Sequence, residues 1–358
     1  MRLLVSAKMG HGTFQAKFVP LSKVARIESI HVLRKSSGPL IEKVKYAILP
    51  RITRYPLFNL VITPLQLVRF AWKIKPRYLI SYHFLPHAIF VWIASKMTGI
   101  PFIFCQTGGY VESYATGILK GRIVKRILKS AYHINVPGKE SVRFWVELGI
   151  NSRKISVLHS TIDTDKILPN SDNMYYKYDF VFVGRLDAVK RIDWIINAIS
   201  NIKSSGRSYR LAIVGDGPLR NELKRLVEKL GMTATIEFLG FQENVFQFLD
   251  VSKVMVMASK SEGLPVALME AMASEKLVIA PSVNNIPSVV ADGITGFLFN
   301  PMKFGELQDA MLNAIENYEA YTTMRKNARK VIVENYSYAV AERKWNEILF
   351  KEKSKSPQ

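Results

Sequence analysis

Cysteine, internal repeats and low-complexity tracts are nearly or wholly missing from this sequence. Its 358 residues include one cysteine, Cys105, which excludes a disulfide framework and fits a reducing compartment. Cysteine and histidine spacings typical of structural zinc sites are also missing. Hydrophobic residues make up 48% of the chain and charged residues 22%, so we expect packed globular domains.

Long hydrophobic runs are missing too. The N-terminal MRLLVSAKMG has no long apolar segment and no small-residue cleavage site, so we expect no signal peptide. The longest stretch without a full charge, residues 78–95, carries His83, Pro86 and His87 near its middle. Because a transmembrane helix needs about 20 predominantly apolar residues, we predict a buried strand, a turn and a buried helix here. The expected location is therefore the cytoplasm.

Acidic residues are scarce in the first half. Residues 1–168 contain 26 Lys and Arg against 7 Asp and Glu, whereas residues 169–358 contain 24 against 22. Such an asymmetry indicates an anionic partner for the first half: a membrane surface, a nucleic acid or a phosphorylated substrate. A generally basic proteome is the alternative, but it would tend to raise both halves. The chain contains no recognised nucleic-acid-binding motif, so we do not expect a nucleic acid partner.

Short apolar strands alternate with helical stretches along the whole chain, which predicts an α/β fold with doubly wound parallel sheets. The length suits two domains, and the polar stretch 166–177 is the expected linker. The predicted strands are 2–7, 27–33, 78–82, 101–105, 133–136, 178–183, 211–214, 235–239, 254–258 and 277–280. The predicted helices are 59–73, 87–98, 119–130, 139–148, 189–200, 219–230, 265–273 and 340–350.

The segment SEGLPVALMEAMA, residues 261–273, carries two glutamates near a helix start. Glu262 lies in the loop, and Glu270 lies one to two turns inside the helix. The free N–H groups of a helix start bind phosphate, and carboxylates accept hydrogen bonds from sugar hydroxyls. Taken alone, however, the two glutamates are more simply a loop acid and a solvated helix residue.

Two further loops follow predicted strands. VGRLDAVK, residues 183–190, brings Arg185 and Lys190 close to a helix start, where two cations suit a diphosphate. The alternative is a pair of solvated surface cations. VGDGP, residues 214–218, adds a tight glycine turn. All of these loops follow the carboxyl ends of strands, where open α/β sheets bind ligands.

Five motifs follow one another along the second half: VGRLxxxK, GDGP, FLG at 238–240, SEGLPVALMEAMA, and DGITGFLF at 292–299. Together they resemble the motifs of the retaining GT-B glycosyltransferases with an E-x7-E motif. The resemblance implies two Rossmann-like domains that face each other across a cleft. Residues 1–168 would form the acceptor-side domain and residues 169–338 the nucleotide-sugar domain. Residues 339–358 would hold a helix that crosses back to the first domain. The implied reaction is a metal-independent transfer with retention from a UDP-, GDP- or ADP-sugar, without a cofactor.

The resemblance also assigns roles to residues. Arg185 and Lys190 would hold the donor diphosphate and Glu262 would contact the transferred sugar; these three are the predicted catalytic residues. Glu270 would bind the ribose. The predicted donor-binding set is Gly10, Gly12, Gly215, Gly240, Phe241, Gly263, Leu264, Pro265 and Glu270. His83 and Thr107 are predicted on the acceptor or sugar side, although His83 also fits a core histidine. No metal site is predicted, and the D-x-D at Asp163 and Asp165 is interpreted as structural.

The chain departs from the family pattern in four places. The GG-x-E pattern after the first strand is missing, and Thr107 stands where the family often has a histidine. Asn284 and Asn285 replace two glycines, and Ser288 replaces a glutamate. These departures leave the sugar and acceptor open. The altered loops of the first domain favour one alternative, a catalytically inactive sugar-nucleotide-binding protein. A GT-B sugar-nucleotide epimerase is a second alternative, although the VGRLxxxK and E-x7-E motifs argue against it.

The expected acceptor is a glycan or a lipid-linked molecule, and the basic first half predicts peripheral contact with an anionic membrane. Residues 119–130, LKGRIVKRILKS, carry five cations, with Leu119, Ile123, Ile127 and Leu128 on one helical face. Residues 56–70, flanked by arginines, are a second candidate contact. The alternative for both helices is that their apolar faces pack on the sheet.

Overall fold

The computed structural model describes residues 1–107, 110–169, 175–204 and 206–350, and it divides into two compact units. The first unit comprises Met1–Thr161 together with the segment from Tyr338 onward, and the second comprises Ile162–Ser337. The first boundary between the units follows Thr161, seven residues before the end of the predicted first domain at residue 168. Ile162 and Ile167 explain the difference, because both are buried in the core of the second unit.

The described part of the first unit is built on a seven-stranded parallel sheet with the strand order β3-β2-β1-β4-β5-β6-β7. Its central strands are nearly continuous apolar runs because helices cover both faces of the sheet. Val5 of β1, for example, pairs with Val32 on one side and Ile80 on the other. The strands are β1 Arg2–Ser6, β2 Ser29–Arg34, β3 Val44–Ile48, β4 Tyr78–Tyr82, β5 Phe102–Cys105, β6 His133–Val136 and β7 Ile155–Val157.

Helices connect these strands and supply the rest of the core. Short 3-10 or π segments interrupt the connections, among them Arg51–Arg54 and Phe84–Ala88. The helices are α1 His11–Lys23, α2 Pro56–Ile74, α3 Ile89–Thr98, α4 Tyr110–Ala115, α5 Ile118–Ser130 and α6 Lys139–Glu147.

The described part of the second unit contains a six-stranded parallel sheet with the order β10-β9-β8-β11-β12-β13. The two cores of this unit lie on opposite faces of the sheet. Its strands are β8 Tyr178–Val183, β9 Leu211–Val214, β10 Ile236–Gly240, β11 Ser252–Val256, β12 Leu277–Pro281 and β13 Phe297–Phe299. Its helices are α7 Ile192–Ser204, α8 Arg220–Lys229, α9 Phe246–Asp250, α10 Val266–Ala273, α11 Phe304–Glu316 and α12 Thr322–Tyr336.

The last helix, α13 Tyr338–Phe350, belongs to the first unit, although it directly follows the second unit in sequence. Its Trp345 is 1% exposed and packs in the core that contains β1 and α1. Ala341, Ile348 and Leu349 lie in the same core. The chain therefore returns to its first unit at the end.

The structure contains three strands that the sequence pattern does not predict: β3, β7 and β13. Each lies at an edge of its sheet and is only partly buried, so its sequence is not a continuous apolar run. The helix α1 was not predicted either, because it lacks a clear amphipathic pattern and contains Pro20. The predicted apolar face of residues 119–130 is also wrong in part. Val124, Ile127 and Leu128 are buried in the core, whereas Ile123 is 49% exposed.

Candidate functional site

The candidate site of the second unit lies where its parallel strands end. Since β8, β9, β10 and β11 are all parallel, the loops that follow them emerge at one edge of the sheet. The predicted motifs VGRLDAVK, VGDGP and SEGLP extend into three of these loops, and FLG forms the end of β10 just before the fourth. The tertiary fold thus gathers at one edge the segments that carry all the predicted residues of this unit.

Two of these loops approach each other so closely that one position must be glycine. Gly215 has φ +140°, and a Cβ there would lie 1.8 Å from the carbonyl oxygen of Gly184. Its N–H donates to the carbonyl of Gly240 at 2.8 Å, which ties a third loop to the pair. Gly215 therefore holds the loops after β8, β9 and β10 together, whatever it contributes to ligand binding.

The strongest side-chain contact of the site joins Lys190 to Glu262. Lys190 Nζ lies 2.5 Å from Glu262 Oε1, although 72 positions separate the residues. The Glu262 side chain is 8% exposed and that of Lys190 is 21% exposed. The backbone supports the contact, because the Lys260 N–H donates to the Val189 carbonyl at 2.8 Å. Two of the three predicted catalytic residues therefore meet in a sheltered ion pair.

Lys190 precedes the helix instead of beginning it as the sequence suggests. The predicted helix at 189–200 begins at Ile192, because Arg191 adopts the left-handed conformation with φ +47°. The Lys190 N–H closes a turn onto the Asp187 carbonyl at 3.1 Å. The turn directs Lys190 toward the loop of Glu262.

Arg185, the third predicted catalytic residue, is open to solvent. Its side chain is 71% exposed, and its Nε lies 3.7 Å from Asp187 Oδ2. An exposed pair at this distance contributes little and is readily exchanged for a better anion. The guanidinium is thus available to a ligand at this edge of the sheet.

Glu270 is a largely buried carboxyl group near the end of the short helix α10. Burial raises its pKa to about 7. Its side chain forms neither a hydrogen bond nor an ion pair among the described residues. Pro265 is the N-cap of α10, so the N–H groups of its first turn are free to bind an anion. Gly263 and Leu264 lead into this turn.

The loop after β10 contributes an exposed aromatic ring. Gly240 has φ +70° at the end of the strand, and the next residue, Phe241, is 72% exposed. An exposed phenyl ring next to a ligand-binding edge can stack on a planar group.

The predicted acceptor-side residues lie in the first unit, at the corresponding edge of its sheet. His83 follows β4 with φ +67°, and its buried Nδ1 has no hydrogen-bond partner in the described chain. Burial also lowers its pKa. Thr107 follows the neighbouring β5, and its buried Oγ1 is likewise unsatisfied. Each of these two strand ends therefore carries one buried polar atom that the described residues do not satisfy.

The loop between β1 and α1 lies at this edge as well. Gly10 is the N-cap of α1, and Gly12 lies in its first turn. A Cβ at either glycine would meet no atom within 4 Å, so packing does not require glycine there. The last residue of β1, Ser6, places its Oγ 2.9 Å from His87 Nδ1. Burial lowers the pKa of His87 to about 4, so its ring is neutral near pH 7.

Comparison with known proteins identifies the family of the second unit. The family described as "Glycosyl transferases group 1" matches residues 165–331, nearly the whole of that unit. The chain carries a group 1 glycosyltransferase domain. The structure also resembles Anabaena HepE, solved in complex with UDP. The TM-score is 0.80 over 98% of this chain and 100% of the other, at 16% identity, which shows the shared GT-B fold.

Curated relatives match over part of the chain. An alpha-D-kanosaminyltransferase of Streptomyces kanamyceticus is 28% identical over 163 residues. That match covers 45% of this chain and 42% of the relative. An alpha-1,4-N-acetyl-D-galactosaminyltransferase of Campylobacter jejuni, named for a PP-undecaprenol-linked saccharide, is 35% identical over 130 residues. That match covers 36% of each chain, so both matches span less than half of the relative's length.

The sequence argument does not predict two contacts that position Glu262 in the second unit, those with Ser259 and Asn284. Ser259 is fully buried, and its Oγ donates to Glu262 Oε1 at 2.5 Å. Asn284 Oδ1 accepts from the Glu262 N–H and from Ser261 Oγ, each at 3.1 Å. Asn284 has φ +46° and thus keeps the left-handed conformation that a glycine would allow. A polar residue directly after the predicted strand 254–258 was the available signal for Ser259.

Within the described residues of the chain, no group of three or more His, Cys, Asp or Glu side chains could hold a metal ion. Asp163 of the D-x-D instead pairs with Lys166 at 3.1 Å. None of the described helices combines the length and the apolar character that a membrane span requires.

Proposed function

We propose that this group 1 glycosyltransferase transfers a sugar, with retention, from a UDP-, GDP- or ADP-sugar to a glycan or lipid-linked acceptor. The biosynthesis of cell-surface polysaccharide or glycolipid is the process that such a reaction serves. The observation that carries the proposal is the contact of Lys190 with Glu262 at the carboxyl edge of the second sheet. The proposal is supported because a cation suited to a diphosphate lies beside a carboxylate suited to a sugar.

Each predicted residue has a task in this reaction. Arg185 and Lys190 neutralise the charge that develops on the departing nucleoside diphosphate, helped by the free N–H groups at the start of α10. Glu262 accepts hydrogen bonds from the transferred sugar, and Glu270 accepts them from the ribose. Phe241 lies at the edge of the base.

The bond changes need no protein nucleophile. The bond between the anomeric carbon and the leaving phosphate breaks, and the acceptor oxygen attacks the same face of the sugar. The proton of the acceptor passes to the leaving phosphate. We propose that the transfer is independent of metal and cofactor, because Arg185 and Lys190 supply the cationic charge.

The acceptor side belongs to the first unit. Its excess of Lys and Arg over Asp and Glu favours an anionic acceptor carrier and peripheral binding to the inner face of the plasma membrane. The Campylobacter relative, named for a PP-undecaprenol-linked saccharide, supports a lipid-linked acceptor. The buried free thiol of Cys105 is consistent with a cytoplasmic site of action.

A thermal-shift screen of nucleoside diphosphates and their sugars, followed by donor hydrolysis, tests the proposal. A ligand at 100 times its dissociation constant stabilises a protein by about 2.7 kcal/mol, which such a screen resolves. Lys190→Gln should abolish turnover, whereas Lys224→Gln, which removes an exposed cation from α8, should leave it intact. Binding without any turnover would favour the inactive sugar-nucleotide-binding alternative.

A further inference from the structure

Exposed apolar side chains are concentrated on one small part of the first unit. Seven of them lie in the 3-10 turn Arg51–Arg54, at Tyr55, and in the first half of α2. Leu57 is 78% exposed and Val61 is 62% exposed. We call this set the α2 apolar surface; its members are Ile52, Tyr55, Leu57, Phe58, Leu60, Val61 and Leu65.

The packing of the first unit does not need this surface. The second half of α2 supplies the core contacts, through Leu67, Val68, Ala71 and Ile74. In the first half, Thr63 and Pro64 are buried, whereas the side chains of the α2 apolar surface remain in water. A contiguous apolar patch of this kind marks a surface that binds another apolar phase or molecule.

The charges around the surface favour an anionic partner. Arg51 and Arg54 lie in the same turn, Arg69 and Lys73 lie further along α2, and all four are exposed. None of them forms an ion pair within the described residues. Residues 43–111 contain nine Lys and Arg but no Asp or Glu. An apolar face with a basic rim is the combination that binds the interface of an anionic bilayer.

The surface also lies at the edge of the first unit that faces the acceptor in the proposed reaction. Strand β3 is parallel to β2, and through β2 and β1 to β4. It ends at Ile48, so the turn at Arg51–Arg54 emerges at the carboxyl edge where His83 follows β4. A lipid-linked acceptor would present its sugar at this edge.

We infer that the α2 apolar surface inserts into the head-group region of an anionic bilayer and brings the acceptor edge to the lipid-linked substrate. The inference rests on the proposed function and names the docking element. A second copy of this chain fits the surface poorly, because it would bring the two basic rims together. Helix α5 is not the inserting element, since Val124, Ile127 and Leu128 are buried in the core.

Flotation with phosphatidylglycerol-containing and pure phosphatidylcholine vesicles tests the inference. The full chain should bind the anionic vesicles and retain part of this binding at about 1 M salt, where the Debye length is about 3 Å. Leu57→Asn with Val61→Asn should lower the partition coefficient by at least about tenfold and remove the salt-resistant part. The matched control is Ile294→Asn with Met302→Asn, two exposed apolar residues of the second unit, which should bind like the wild type.

Two pairs of variants test the basic rim, which consists of Arg51, Arg54, Arg69 and Lys73. Arg51→Gln with Arg54→Gln should weaken binding to anionic vesicles by about tenfold at low salt and have less effect at high salt. Lys224→Gln with Arg225→Gln removes the same charge from α8 and should leave binding unchanged. Equal loss in both pairs would show that net charge, and not this surface, determines binding, and would overturn the inference.

Direct insertion is measured with a reporter at the surface. The chain has five native tryptophans, so emission is compared with that of the wild type. The emission that Phe58→Trp adds should shift to the blue on vesicles and be quenched by brominated lipid, whereas that added by Met302→Trp should not. An unquenched Phe58→Trp, or a stable dimer lost in Leu57→Asn with Val61→Asn, would refute insertion. Nucleoside diphosphate binding without vesicles separates the two claims: if it persists while vesicle binding fails, only the docking surface is wrong.

Discussion

The carboxyl group of Glu270 offers a quantitative test of the donor site, because burial raises its pKa to about 7 from an ordinary value of 4.5. Below about pH 4.5 the group is protonated in both the folded and the unfolded chain, and it has no effect on stability. As the pH rises, the unfolded chain releases the proton first, so the folded state loses stability. The loss is complete above about pH 7 and amounts to about 3 kcal/mol, since one pKa unit corresponds to about 1.4 kcal/mol.

Replacement by glutamine removes the ionisation and nearly preserves the shape. We expect the free energy of unfolding of the second unit to fall with pH in the wild type relative to Glu270→Gln. The difference should be about 2.5 kcal/mol between about pH 5 and about pH 8. Urea denaturation at four pH values, followed by a probe in the second unit, measures it. Glu222→Gln, on the exposed face of α8, is the control and should follow the wild type.

The same variant tests the role in ribose binding. Ligand hydroxyls donate to an ionised carboxylate better than to a protonated one, so a nucleoside diphosphate should bind the wild type more tightly as Glu270 ionises. From about pH 6 to about pH 8 its affinity should rise more for the wild type than for Glu270→Gln. This comparison cancels the ionisation of the ligand itself. Parallel stability curves and parallel affinity curves for the two proteins would refute both the buried carboxyl and its contact with the ligand.

Three further predictions follow from the same structure. Arg185→Ala should weaken nucleoside diphosphate binding by about tenfold to a hundredfold, since a charged hydrogen bond contributes about 1.5–3 kcal/mol; calorimetry with Lys224→Ala as control measures this. Sugar transfer should persist in excess chelator. If chelator abolished the activity and magnesium or manganese restored it, Arg185 and Lys190 would not be the only cations that neutralise the leaving diphosphate. Trp345→Ala should destabilise the first unit by about 3–5 kcal/mol, because the side chain is 1% exposed; selective early unfolding of that unit is the expected observation, and an unchanged transition would contradict it.

The sequence alone predicted the elements whose patterns are local. The strands Tyr78–Tyr82, His133–Val136, Tyr178–Val183 and Leu211–Val214 match the predicted bounds, because each is a short apolar run buried on both faces. The fold class and the glycosyltransferase family also followed from local motifs at strand ends. Edge strands such as β3 were missed, since they bury too little surface to leave an apolar signature.

The tertiary structure decided the contacts between residues that are far apart in the chain. Lys190 contacts Glu262, and Ser259 and Asn284 hydrogen-bond to Glu262. These contacts depend on which strands are neighbours and how their loops bend. No local pattern encodes this. The same holds for helix α2, whose first half is largely apolar in sequence and is compatible with a buried helix. Only the packing of the first unit shows that Leu57 and Val61 remain in water, because burial depends on the neighbours of a residue and not on its own side chain alone.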